Sequence, residues 1–265
     1  MASLNWQKQT LDTPLYEDII WEKPENKLIS GRFLIVGGNA HEFASSAQIF
    51  ESLKKAGAFN IFLALPDVLK KIINSLDLAV SYLPSNPSGS IGLNAVAELI
   101  DLDNNSDIVI LAQDLGKNSE TTLCMDHFLN KNKSLICLTS ENIDLIENIE
   151  NPDYKKMLLV TNFSDLQKLL IKKFNVLIKN SDELFVTLNK LYEINVKFPL
   201  NLICIHEENI IVVADQKIST TNIRTKHLNL VEVLSAYGSF YFVNNQNKIY
   251  QALTSAVFEV LVKNK

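Results

Sequence analysis

The stretch GRFLIVGGNAHEFASSAQIF, residues 31 to 50, joins an apolar run (Arg32 to Val36) to Gly37-Gly38-Asn39, then to His41, then to a helical pattern over Ala44 to Ala56. An apolar run without polar alternation is what a strand buried on both faces requires. A Gly-Gly-Asn turn leading straight into a helix makes this a strand-to-helix junction. The same unit recurs along the chain. FNIFLAL (59 to 65) precedes a helix starting at Pro66-Asp67, where proline suits the first helical turn. LAVSYL (78 to 83) precedes SNPSGS and a helix from about Ile91 to Leu102, and DIVILA (107 to 112) precedes DLGKNSE and a helix over Thr121 to Asn130. SLICLT (134 to 139) precedes a short helix from Glu141, and MLLV (157 to 160) precedes a helix over Ser164 to Lys173. Such alternation predicts a parallel sheet crossed by helices.

The last hundred residues change character. After a helix over Ser181 to Ile194, NLICIHEENIIVVADQKIS places HEEN between two β-rich runs, the pattern of a hairpin at an antiparallel edge. Helices over Leu228 to Val243 and Asn247 to Val262 close the chain. Residues 1–30 read as an irregular N-terminal arm. No Gly/Ser or Pro-rich linker and no internal repeat divides residues 31–265, which are expected to form one α/β domain.

Of the 265 residues 47% are hydrophobic and 21% charged, an ordinary globular balance, and a net charge of -5 with 25 scattered Lys and Arg argues against a general nucleic-acid binder, which needs a clustered basic surface. The nearest approach to a basic run, Lys168, Lys172 and Lys173, has the spacing of one solvated helix face. Cys124, Cys137 and Cys204 lie far apart with no CxxC, and two sit in the apolar runs LICL and LICI, so neither a disulfide nor a metal site is expected. The first residues carry charges throughout with no apolar core of a leader, and no apolar run reaches bilayer length. A cytoplasmic protein, with neither membrane nor nucleic acid among its partners, is the expectation.

In open α/β sheets ligands lie beyond the carboxyl ends of the strands. Four strand-to-helix loops there combine small and polar residues: Gly37 to His41, Ser85 to Ser90, Asp114 to Asn118, and Thr161 to Ser164. Glycine lets a ligand approach the backbone, and a helix N-terminus offers free N–H groups. Gly37, Gly38, Asn39, His41, Asn86, Ser88, Gly89, Asp114, Gly116 and Asn162 are therefore the candidate ligand-binding residues. The competing reading is that these are turn and cap residues that any such junction needs. GGNAHEF lacks the third glycine of a dinucleotide fingerprint, and no P-loop, GxSxG or HExxH motif occurs. His127 falls on a helix face and His206 in the hairpin turn, neither in a catalytic pattern.

Taken in order, these loops resemble those of the ribokinase-like superfamily, and within it the ADP- or ATP-dependent NAD(P)H-hydrate dehydratases, from about Gly31 to Phe258. The family's opening GGS is similar to Gly37-Gly38-Asn39. Its AALRAGAGLV-type segment is similar to ESLKKAGAFNIF, and its GPGLG loop with a following ET pair to Ala112 through Thr121. Its LDADALNLL resembles LTSENIDLI (138 to 146), and its TPHPGEFARLL resembles VTNFSDLQKLL (160 to 170). The resemblance implies a ribokinase-like three-layer α/β/α sandwich, its sheet mostly parallel with an antiparallel hairpin at the C-terminal edge.

The family's functional residues carry over poorly. Its GTGD motif, with amides that hold phosphate and an Asp that moves a proton, corresponds to a segment beginning Thr225-Lys226-His227-Leu228-Asn229-Leu230, without glycine and with Leu230 in place of the Asp. Its Lys-Gly pair appears as Ile205-His206, and its HPGE as Asn162-Phe163-Ser164-Asp165. Leucine transfers no proton, and side chains in place of both glycines obstruct an anion hole. Glu232 is the nearby carboxylate that could substitute. The resemblance thus implies a degenerate, non-catalytic or nucleotide- or anion-binding member, its ligand left open between ATP or ADP and an NAD(P)-like molecule, with magnesium only if it is active. Two alternatives stand beside it. One is an active dehydratase or carbohydrate-kinase-like enzyme with acid-base groups relocated to Glu232, Asp114 or His41. The other is a structural or partner-binding homo-oligomer, motivated by the aromatic segment Tyr237 to Phe242, for which core packing in the closing helix is the favoured reading, and by the oligomers common among relatives.

Overall fold

The computed structural model describes residues 4–24, 26, 29–73, 79–223 and 229–263. In chain order these form β1 (Trp6–Gln9), α1 (Glu17–Trp21), β2 (Arg32–Val36), α2 (Ala44–Ala56), β3 (Asn60–Pro66), α3 (Lys70–Ile73), β4 (Val80–Leu83), α4 (Val96–Asp103), β5 (Ile108–Leu111), α5 (Ser119–Leu129), β6 (Leu135–Thr139), β7 (Met157–Asn162), α6 (Phe163–Phe174), α7 (Leu184–Lys197), β8 (Asn201–His206), β9 (Asn209–Ala214), β10 (Lys217–Asn222), α8 (Leu230–Asn244) and α9 (Ile249–Lys263). Short 3₁₀ turns lead into α3, α4 and β7, follow β5, and cover Ser140–Asn148.

The strands join one ten-stranded sheet in the order β1-β10-β9-β8-β7-β6-β5-β2-β3-β4. Only β9 runs against its neighbours; the other pairings are parallel. Successive side chains in a strand point to opposite faces, and both faces here are covered. Phe33, Ile35, Ile108, Ile110 and Cys137 pack with residues of α2, α8 and α9. Leu34, Val36, Val109, Leu111 and Leu138 pack with residues of α4, α5, α6 and α7. This is the three-layer sandwich, and two-sided burial is the reason the strand sequences are continuously apolar.

Local chemistry sets several boundaries. Asn118 and Asn162 cap α5 and α6, each side chain accepting from the backbone N–H three residues on. Gly57, at φ 114°, ends α2, its N–H reaching Leu53 O and Lys54 O.

The structure departs from the sequence pattern in three places. The segment before Gly31, expected to be irregular, supplies α1 and the edge strand β1, which pairs in parallel with β10. Beyond the expected hairpin, Asp215 and Gln216 turn the chain again into β10, so β10 and β1 lie outside it. The helix expected at Pro66 begins as a 3₁₀ turn over Asp67–Leu69. Tyr237 to Phe242 is buried within α8 and lends its aromatic rings to the core, in keeping with the expected packing of a closing helix. Leu78, assigned to a strand, and Thr225 to Leu228, assigned partly to a helix and partly to the family motif, lie outside the described residues. Among the described residues no helix is long and apolar enough to cross a membrane.

Candidate functional site

From β2 the chain moves outward through β3 and β4, then crosses back to place β5 on the other side of β2. The sheet order reverses between β2 and β5, and loops leaving such a switch point diverge to form a crevice. Here those loops are Gly37-Gly38-Asn39 after β2 and Ala112-Gln113-Asp114 after β5.

The two loops are bonded to each other. Asp114 Oδ1 accepts from the Gly38 N–H at 2.8 Å and from the Ser46 hydroxyl at 2.7 Å, and its Oδ2 accepts from the Ser46 N–H at 2.9 Å. Asn39 Nδ2 donates to Asp114 O at 3.0 Å. The Ser85 to Ser90 loop closes over them: the Ala40 N–H donates to Gly89 O at 2.8 Å, and a Cβ on Gly89 would fall 2.3 Å from that of Ala40. A Cβ on Gly116 would fall 2.4 Å from Ser90 Oγ. Asn86 Oδ1 accepts from Ser88 and Ser90, while its Nδ2 donates to Asn118 and Thr121, which pins this loop to the start of α5.

Nine sequence-predicted candidates thus belong to three loops that meet at one sheet edge: Gly37, Gly38, Asn39, His41, Asn86, Ser88, Gly89, Asp114 and Gly116. Most face one another, and His41 is exposed, donating its backbone N–H to Asn39 Oδ1. Asn162 stands apart at the end of β7, where it caps α6 and donates to Ser140. His206 is not in the hairpin turn. It ends β8, is buried, and lies with its ring centre 3.9 Å from that of Phe163, and burial holds its imidazole below the usual histidine range.

Beside the bonded loops a pocket of about 270 Å³ is lined by Glu42, Ala44, Ser45, Gln113, Asp114, Glu141, Asn229 and Glu232. Glu232, buried on the first turn of α8, accepts from Gln113 Nε2 at 2.7 Å, while the Gln113 N–H donates to Ser45 Oγ at 3.1 Å. Glu141 pairs with Lys117 at 3.0 Å. Glu42, Ser45, Gln113 and Glu141 escaped the sequence reading because only the adjacency of β2, β5 and β6 assembles them. The available signal was their position in strand-to-helix loops or in the first turn that follows them.

Neither a family model nor a curated protein matches the sequence. Solved structures do match. A ribokinase-like superfamily protein from Enterococcus faecalis superposes with a TM-score of 0.75 at 12% identity, over 99% of this chain and 89% of that one. The chain has a ribokinase-like fold. A Streptococcus mutans protein shares it at a TM-score of 0.68 and 15% identity, over 93% of this chain and 87% of the other. So does the ADP/ATP-dependent NAD(P)H-hydrate dehydratase of Bacillus subtilis, crystallised with ATP and Mg²⁺, at 0.64 and 12%, over 94% of this chain and 88% of that one. At these identities the likeness is one of fold.

On this ribokinase-like fold the start of α8 is informative. Asn229 sits at φ 58°, a left-handed conformation that asparagine tolerates better than most residues with a side chain. Leu230, which follows it, is buried in the hydrophobic core. The pocket beside them carries four carboxylates and neither Lys nor Arg among its described residues. Those residues do not fit a nucleotide polyphosphate, whose charge would need neutralising from elsewhere. Among the described residues no group of three or more His, Cys, Asp or Glu side chains is arranged to hold a metal ion.

Proposed function

We propose that the chain is an NAD(P)H-hydrate dehydratase-like protein that has kept the fold and lost the chemistry. The observation that carries this reading is Leu230. Where the resemblance places a proton-transferring Asp, an apolar side chain heads α8 and packs into the core. General acid-base assistance is typically worth about 10² to 10⁴ in rate, and losing it with an anion hole removes both sources of transition-state stabilisation. The pocket that remains suits neither a free phosphate nor a proton relay through residue 230. Binding of a nucleotide-like ligand, with its phosphates lying outside this carboxylate-lined pocket, residence in the cytoplasm and self-association belong to the same proposal. Light scattering reads the last of these.

One observation favours a second reading. Glu232 is a buried carboxylate two residues after Leu230, lines the pocket and is oriented by Gln113. An active enzyme would use it as the acid-base group. The test is dehydration of NADH hydrate by purified protein with ADP or ATP and magnesium. No turnover above background is expected, whereas robust turnover abolished by Glu232→Gln would establish the second reading and refute the first.

A further inference from the structure

Glu141 also lines a second cavity, of about 330 Å³, between the start of α5 and the 3₁₀ segment Ser140–Asn148. Its apolar wall is Leu115, Met125 and Leu145, all buried. Asn142, 7% exposed, lines it as well. The Asn142 Nδ2 is fully engaged at the end of β5, donating to Ala112 O at 2.7 Å and to Leu111 O at 3.4 Å, with Thr139 Oγ1 at 3.3 Å. Carbonyl acceptors on that side fix which end of the amide is which. The other end, Oδ1, accepts from no donor among the described residues, and it is not sealed in the core but opens on the cavity. An acceptor on so buried a side chain is seldom left without a partner. On the same 3₁₀ segment Glu147 Oε1 is buried with no hydrogen bond, although Lys172 stands 3.5 Å from it.

The charges of the lining are matched. Lys117 pairs with Glu141 at 3.0 Å, and Lys172 reaches from α6 to Asp144 at 3.8 Å as well as to Glu147. An ionic ligand would therefore be desolvated here without a free counter-charge. What the walls leave open is an acceptor beside apolar side chains, in a volume at the small end of ligand pockets. We propose that this cavity is a binding site for a small uncharged molecule that presents an N–H donor to Asn142 Oδ1 and an apolar ring or chain to Leu115, Met125 and Leu145. The site is separate from the pocket at α8 and does not depend on whether that pocket is catalytic.

The probes are benzamide and phenylurea, with N,N-dimethylbenzamide as the control that keeps the apolar body and lacks the N–H. At about ten times a Kd measured by calorimetric titration, at least one donor-bearing probe should raise the melting temperature by about 2–3 °C, and the control should not. Thr122→Phe, which fills the cavity from the partly exposed side of α5, should abolish the shift. Asn142→Ala should abolish it too, measured against its own baseline. If Asn142→Ala does not fold, Thr122→Phe decides alone. No shift with either probe would mean that the cavity holds only water and would overturn the proposal. So would an equal shift with the control, or a shift that survives Thr122→Phe.

Discussion

A methyl group at Gly37 would lie 2.3 Å from Ser46 Oγ and 2.5 Å from Asp114 Oδ1, both fixed by hydrogen bonds and unable to withdraw. Overpacking of this kind costs about 1–3 kcal/mol, and breaking the Asp114 contacts adds to it. Gly37→Ala is expected to lower stability by about 2–3 kcal/mol, read as a lower midpoint of urea unfolding with an unchanged slope. At the neighbouring Gly38 the backbone itself is restrictive, with φ at 78°. The paired glycines were visible in the sequence, but their task was not. A glycine that cradles a ligand and one that makes room for a carboxylate from a distant loop look the same in a linear chain.

Helix and strand boundaries followed from local chemistry wherever a cap or a breaker was present, as at Gly57, Asn118 and Asn162. The N-terminal elements were not legible because WQKQ, residues 6 to 9, is too polar and short to signal a strand. It becomes one by pairing with β10, and its Gln9 side chain, buried, donates to Thr221 and to the Thr254 carbonyl. The segment after α1 is fastened to α9 through Glu259, whose carboxylate accepts from Lys23, Lys263 and the Tyr241 hydroxyl. Burial alone would push the Glu259 pKa up, but the hydrogen bonds from the two lysines outweigh it and hold the group below the usual glutamate range. A folded-state pKa below the unfolded one contributes stability in full above the ordinary value of 4.5, and that stability is lost as pH falls through the folded value. Glu259→Gln is therefore expected to cost about 1–2 kcal/mol at pH 7. In denaturant titrations across acid pH, its deficit relative to the wild type should shrink below pH 4.5 and not at higher pH.

Across the whole molecule the three cysteines report on how tightly the layers close. All are free and buried, two on central strands and Cys124 on α5, and burial pushes the thiols of Cys124 and Cys137 up to about 12 and that of Cys204 up as well. A thiolate-seeking reagent at pH 8 should label none of them in the native protein except at the rate of unfolding, so labelling should accelerate with urea in step with the loss of structure. Rapid labelling of one thiol in native buffer would contradict this and locate a local opening. The sequence by itself determined the alternating architecture, because two-sided burial and helix capping are local demands written into consecutive residues. The order of the strands, the pairing of β1 with β10 and the meeting of Asp114 with Gly38 and Ser46 were decided only by the tertiary structure. They depend on contacts between segments far apart in the chain, and a carboxylate in a loop carries no local sign of which amides it will meet.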